Sequence, residues 1–135
     1  MLRQLLACCM VGLALQGFLV PALRADAAPV HHLIKLNAGT IEPSLLTFKK
    51  ENGIVFFLNN TKDALASLEI DFSGKTLHCN GTNLKAGTDE VVRSSKPLGP
   101  MDFATSCFHQ AGTYVYKVYG LNSSKQPLEG RVVVE

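Results

Sequence analysis

The chain lacks any run of like charges, any internal repeat and any low-complexity tract. Without a basic stretch, or basic residues interleaved with aromatics, there is no electrostatic footprint for nucleic acid. It has no Gly-x-Ser-x-Gly, no His-Glu-x-x-His and no glycine-rich phosphate loop, so the usual signatures of a nucleophile, a zinc hydrolase or a nucleotide site are missing. Four histidines occur with no paired acid–base arrangement around them, and catalysis is not expected. Nor does any long stretch keep a 3.6-residue apolar period, which argues against a helical domain.

What is present begins at the first residue. Met1-Leu2-Arg3-Gln4 precedes an almost continuous apolar run from Leu5 to Leu23, followed by Ala25-Asp26-Ala27. One positive charge, an apolar segment and a small-residue A-x-A site define a secretory signal peptide. Gly12, Gln16, Gly17 and Pro21 interrupt the run, which disfavours the rival reading of a transmembrane anchor. Leu5-Leu6-Ala7-Cys8 resembles a lipobox but has no apolar stretch before it, so no lipid anchor is expected. Residues 1–27 are therefore expected to leave, with Cys8 and Cys9, and residues 28–135 to form one secreted or periplasmic domain with no stable membrane anchor. That domain loses Arg3, Arg24 and Asp26, leaving 11 basic and 10 acidic side chains. A net charge near +1 gives no pull toward nucleic acid or anionic membrane.

The mature region reads as short runs of β-formers separated by turn residues, the pattern of an all-β sandwich or barrel. Strands are expected near His31–Asn37, Leu45–Lys49, Ile54–Asn59, Ser67–Phe72, Thr76–Cys79, Glu90–Arg93, Asp102–Phe108, Thr113–Tyr119 and Glu129–Val134. A helical turn is expected at Lys62–Ala66. Alternation points Leu68, Ile70 and Phe72 into the core and Ser67, Glu69 and Asp71 outward, with Tyr114, Tyr116 and Val118 as a second inward set. Val132-Val133-Val134 reads as a strand covered on both faces. Met101, the one methionine left after cleavage, is expected to fill core space.

Three segments carry a family likeness. Gly53-Ile54-Val55-Phe56-Phe57-Leu58-Asn59, Ala111-Gly112-Thr113-Tyr114-Val115-Tyr116 and Leu128-Glu129-Gly130-Arg131-Val132-Val133-Val134 resemble, in order and spacing, three strands of the cupredoxins. The resemblance implies a cupredoxin-like Greek-key sandwich or barrel of about 7–9 strands. Thr40 through Phe48, and Asn60 through Ile70, further resemble EfeO-type cupredoxin-like domains of periplasmic iron-uptake proteins. A type 1 copper site needs two imidazoles and a thiolate, usually with an axial thioether. At the places the resemblance assigns to these ligands stand Ala66 or Ser67, Val118, a loop from Tyr119 to Gln126 without histidine, and Pro127-Leu128. A type 1 copper site is not expected, and the EfeO-type cysteines are replaced by Ile41 and Val118. Glu69 is retained.

Other residues could still carry chemistry. Cys79 and Cys107 can form a disulfide closing a loop of about 29 residues, worth roughly 3–4 kcal/mol on the chain-entropy model, and export favours it. Alternatively His78-Cys79 and Cys107-Phe108-His109 supply sulfur and imidazole donors for zinc or copper(I). Cys107 and His109 share a strand face, whereas His78 and Cys79 point opposite ways. His31 would complete a square-planar copper(II) or nickel(II) chelate if Pro29 became the amino terminus; otherwise His31 and His32 are exposed strand residues. Glu69 with Asp71 could hold a hard cation or simply keep the sheet's wet face soluble. Asn59, Asn80 and Asn122 head formal glycosylation sequons. Two functions follow. One is metal handling outside the cytoplasm, with copper or iron as the metal and a metal transporter or other exported protein as partner. The other is a metal-free interaction scaffold stapled by Cys79–Cys107.

Overall fold

The structure, a computed structural model, describes residues 30–49, 53–77 and 79–135. The segment assigned to the signal peptide, and its cleavage point, lie outside the described residues.

Ten strands occur in chain order among the described residues: β1 (His31–Asn37), β2 (Thr40–Glu42), β3 (Leu45–Phe48), β4 (Gly53–Asn59), β5 (Ser67–Asp71), β6 (Leu84–Ala86), β7 (Val91–Ser94), β8 (Phe103–Phe108), β9 (Gly112–Tyr119) and β10 (Leu128–Val134). They form a four-stranded sheet of order β2-β1-β4-β8 and a six-stranded sheet of order β3-β10-β9-β5-β7-β6. The pairs β1–β4 and β3–β10 are parallel and the rest antiparallel. One hydrophobic core fills the space between the sheets, as in other β-sandwiches.

Alternation places that core. Leu68, Ile70 and Phe72 are buried, as are Tyr114, Tyr116 and Val118, so both expected inward sets hold. Phe72, Phe108 and Tyr114 form an aromatic cluster with ring centroids 4.8–5.7 Å apart. Phe57 meets Tyr116 edge-on at 5.1 Å, a geometry that suits the ring quadrupoles. Gly130 stands opposite Tyr116 in the ladder, and a Cβ there would occupy the space of the phenol ring. The glycine is what lets the buried tyrosine lie across β10.

Several expectations give way. Thr76, Leu77 and Cys79 are not in a strand: the Thr76 amide donates instead to Gln110 Oε1 at 2.6 Å, and Cys79 is bonded to Cys107. The sixth strand lies further on, at Leu84–Ala86, paired with β7. The helical turn at 62–66 is absent because side chains and a bridge take its backbone groups. Thr61 Oγ1 accepts from the Ala64 amide at 3.2 Å, and Ala66 pairs with Leu98 at 2.9 and 2.7 Å. Polar side chains that offer the backbone such partners compete with helix. Val133 lies half-exposed between buried Val132 and Val134, so β10 is covered on one face only. Met101 is 66% exposed. It sits at the third position of a Gly99–Asp102 turn with φ +63°, the place where such a turn after proline favours glycine, and there its side chain leaves the core.

The two buried tyrosines give the fold an alkaline limit. Desolvation pushes the Tyr116 phenol far above its ordinary value and raises Tyr114 as well. The hydrogen bond shown for the Tyr116 hydroxyl is a long one, 3.5 Å to the Pro43 carbonyl. With folded pKa values above the unfolded value of about 10, stability is fully present below that pH. It is lost as pH rises through it, because the unfolded chain releases protons that the folded one keeps. The melting temperature is expected to stay level to about pH 9.5 and then fall, with a slope near 1.4 kcal/mol per pH unit for each such phenol. Melting curves read beside phenolate absorbance test this, and Tyr116→Phe should make the fall shallower.

Candidate functional site

At one end of the sandwich β4 stops at Asn59, and three loops converge on it. Asn59 is fully buried. Its amide nitrogen donates to the carbonyls of Ala64 and Leu98, both at 2.8 Å. Its Oδ1 accepts from the Thr61 amide at 3.0 Å and the Thr61 hydroxyl at 2.7 Å. Its backbone receives the Met101 amide and gives to Asp102. Beside it Ala66, Leu98 and Val118 are buried, and Leu121 closes the layer, held by the Gly39 amide through its carbonyl at 2.7 Å. The turn into that loop is at Gly120, φ +90°, where a Cβ would strike the Leu65 carbonyl.

Ala66 and Val118 stand at two of the positions at which the sequence resemblance locates copper ligands. A methyl group and an isopropyl group are found there, so the residues present do not fit a type 1 copper ion and no copper step is drawn through them.

The remaining candidate residues are distributed over the molecule. Cys79 and Cys107 form a disulfide, with Cα atoms 6.1 Å apart and a sequence separation of 28. In that state neither sulfur is a thiolate. Cys107 lies on the outward side of β8, opposite Ile54; His109 follows just past the strand, half-buried. His78 lies outside the described residues. His31 is exposed at the start of β1, its ring 5.5 Å from Phe56, and His32 stacks on Phe48 at 4.4 Å.

Glu69 is engaged by protein groups: Arg93 Nε and the Tyr119 hydroxyl each donate to it at 3.3 Å. Arg93 also makes two bonds to Asp89, at 3.0 and 2.8 Å, and these hold the exposed Asp89 carboxyl down at about 2. Asp71 is lowered by the hydroxyl and amide of Ser73. Among the described residues no three His, Cys, Asp or Glu side chains come together in a group that could hold a metal ion. Of the sequon asparagines, Asn59 is closed to modification by its burial, while Asn80 is exposed.

A feature that sequence reading passed over is the contrast between the two outer faces. The six-stranded sheet presents Glu69, Asp71, Lys117 and Glu129 around a shallow depression. The four-stranded sheet presents Leu33, Ile54, Phe56, Leu58 and Phe103. Leu33 pairs with Phe56, and Leu58 with Phe103, so the side chains adjoin across three strands. The Phe56 ring lies 5.7 Å from Phe103, and Leu33 and Phe103 are 47% and 40% exposed. The signal was legible in Ile54-Val55-Phe56-Phe57-Leu58, an unbroken apolar run in a strand that one core would leave alternating.

This architecture is a cupredoxin-like β-sandwich. The chain is similar in fold to a variant of amicyanin in its reduced Cu(I) form at pH 4, with a TM-score of 0.53, 16% identity, and 82% of this chain and 87% of that one covered. It is similar also to dithionite-reduced auracyanin from Roseiflexus castenholzii, with a TM-score of 0.51, 16% identity, and 80% and 98% covered. No protein-family model and no curated protein sequence matches it.

Proposed function

We propose that the chain is an exported, non-enzymatic recognition domain that uses the cupredoxin-like sandwich as a rigid scaffold and docks a protein through the outer face of its four-stranded sheet. The observation that supports this reading is β4: apolar on both faces, central in its sheet, and with Ile54, Phe56 and Leu58 facing away from the core. Contiguous exposed apolar surface on a small domain marks an interaction site. The face carries the Phe56 ring on a central strand and Phe103 beside it on the edge strand, which suits the apolar patch of another protein rather than a small ligand needing a cavity.

Metal handling is the second reading. It rests on the EfeO-type likeness of Thr40–Phe48 and Asn60–Ile70 and on the cysteine–histidine segments, with copper or iron as cargo and a metal transporter as partner.

A photo-reactive residue at position 103 in the exporting cell tests the first reading. Cross-links to a defined protein are expected from position 103 and not from position 47, on the outer side of β3. Leu33→Asp, on the neighbouring strand, should abolish them while stability moves by no more than about 1 kcal/mol, as for other surface changes. A dimer broken by the same substitution would identify a second copy as the partner. Equal labelling from both faces, or none from 103, would sink the docking reading.

A further inference from the structure

We infer that Asn80-Gly81 is a site of spontaneous covalent modification, at which the asparagine closes to a succinimide that opens to aspartate and isoaspartate, and that the isoaspartyl form loosens the cap on the edge of β8. The site is independent of the docking reading.

Placement carries the inference. Asn80 is exposed and lies outside the strands, one residue after the disulfide. Among the described residues no hydrogen bond engages Asn80 or Gly81, so the carboxamide and the backbone nitrogen that attacks it are both free. Glycine leaves that nitrogen unhindered by a side chain and lets the backbone turn as ring closure requires. The fold itself demands glycine here, because a Cβ at position 81 would strike the Thr105 carbonyl. The same dipeptide occurs at Asn52-Gly53, but Gly53 is buried and paired with Phe108 in the β4–β8 ladder. A backbone nitrogen held in a central strand reacts only when that strand opens.

The step balances with water as the only co-reactant. The Gly81 nitrogen gives its proton to solvent base and attacks the side-chain carbonyl carbon of Asn80. A carbon–nitrogen bond forms, the bond to the side-chain nitrogen breaks, and ammonia leaves with a proton from solvent. Water then opens the cyclic imide at either carbonyl. Opening at the side-chain carbonyl gives aspartate. Opening at the main-chain carbonyl gives isoaspartate, in which the backbone runs through the side-chain carbons. No electrons are exchanged, and either product gains a carboxylate where a neutral amide stood.

The isoaspartyl form bears on the fold because the residues on either side are tied to β8. Cys79 is bonded to Cys107. The Thr82 amide donates to Thr105 Oγ1 at 2.9 Å, and its carbonyl accepts from the Thr105 amide at 3.1 Å. Asn83 Nδ2 donates to the Phe103 carbonyl at 2.8 Å. β8 is the last strand of its sheet, and these bonds satisfy an edge that would otherwise stand open to another chain. Isoaspartate adds a methylene to the short span between the disulfide and Thr82, where Gly81 already lies against the Thr105 carbonyl. The hydrogen bonds of Thr82 yield before the covalent cross-link does.

The test ages the mature protein in mildly alkaline buffer, folded and denatured, and maps its peptides by a method that separates aspartate from isoaspartate. Folding is expected to slow conversion at Asn52 at least tenfold more than at Asn80, since β4 must open to free Gly53. Asn80→Gln, whose longer side chain closes a ring far more slowly, should stay unmodified at position 80 and melt with fresh wild type. Hydrogen exchange at the Thr105 amide should be at least tenfold faster in the isoaspartyl fraction than in Asn80→Gln protein aged beside it. Equal slowing at the two asparagines would overturn the inference, as would no conversion at Asn80 in folded protein. Unchanged exchange at Thr105 in the isoaspartyl fraction would overturn the loosened cap.

Discussion

Asn59→Ala is expected to lower stability by about 3 kcal/mol, a fall of roughly 15 °C in melting temperature for a domain of this size. Asn59 is fully buried, and its amide group joins three stretches of chain: its own strand, the loop through Thr61 and Ala64, and the segment at Leu98. The two carbonyls it serves have other donors. Thr61 Oγ1 reaches Ala64 O at 3.2 Å and the Ala66 amide reaches Leu98 O. The Thr61 amide has no other hydrogen bond among the described residues, so its desolvation penalty falls in full. Asn59→Asp separates the donor role from the acceptor role. It keeps one oxygen on the Thr61 amide and hydroxyl but turns the other, charged oxygen toward two carbonyls, which raises the acid's folded pKa above its unfolded value of about 3.9. Its deficit should therefore grow as pH rises through that value and exceed that of alanine at neutral pH. As pH falls the protonated acid can give one hydrogen bond, and the deficit should shrink. Thermal melts of the three proteins at neutral and acid pH check both statements. An Asp variant as stable as wild type at neutral pH would show that the two amide donations contribute little.

The Asn59 result bears on how this end of the fold keeps its shape. Loops that meet at a metal can be organised by it; here a neutral amide, a bridged Ala66–Leu98 pair and buried Leu121 close them. Most strand positions were readable because alternation is strong where one face is buried, as at Leu68-Glu69-Ile70 and Tyr114-Val115-Tyr116, though the short strand Thr40–Glu42 was passed over. The absence of copper ligands was readable by position alone. Less was legible where side chains and cross-links decide the backbone. Leu84-Lys85-Ala86 has no β-branched residue and is a strand only because β7 lies beside it. Thr76–Cys79 has suitable residues, but the Thr76 amide donates to Gln110 and Cys79 is held in a disulfide. Met101 was misplaced because a methionine after proline carries no mark of a left-handed turn. The apolar outer face was visible as the run Ile54–Leu58, but a run alone does not say which side is covered. That took the pairing of β4 between β1 and β8.

Removing the disulfide by Cys79→Ser/Cys107→Ser is expected to cost about 3–4 kcal/mol, the chain-entropy value for a closed loop of this length. The loss should leave the domain folded, since domains of this class are stable by about 5–15 kcal/mol. The reason is local. Phe72 and Leu77 pack on or into the core, and the bonds at Thr76, Thr82 and Asn83 fix both ends of the segment. Hydrogen exchange should accordingly quicken at Leu77 and at Cys79 through Gly81, with little change in β4 or β9. Reduced wild type should match the serine variant in both respects. Cys107 faces Ile54 on the outer side of the four-stranded sheet, so the cysteine pair borders the apolar face proposed for docking. Recording cross-linking from position 103 in oxidised and reduced protein would show whether the docking face depends on the disulfide. Equal yields in both are expected if the docking face is as rigid as the β4 pairing makes it.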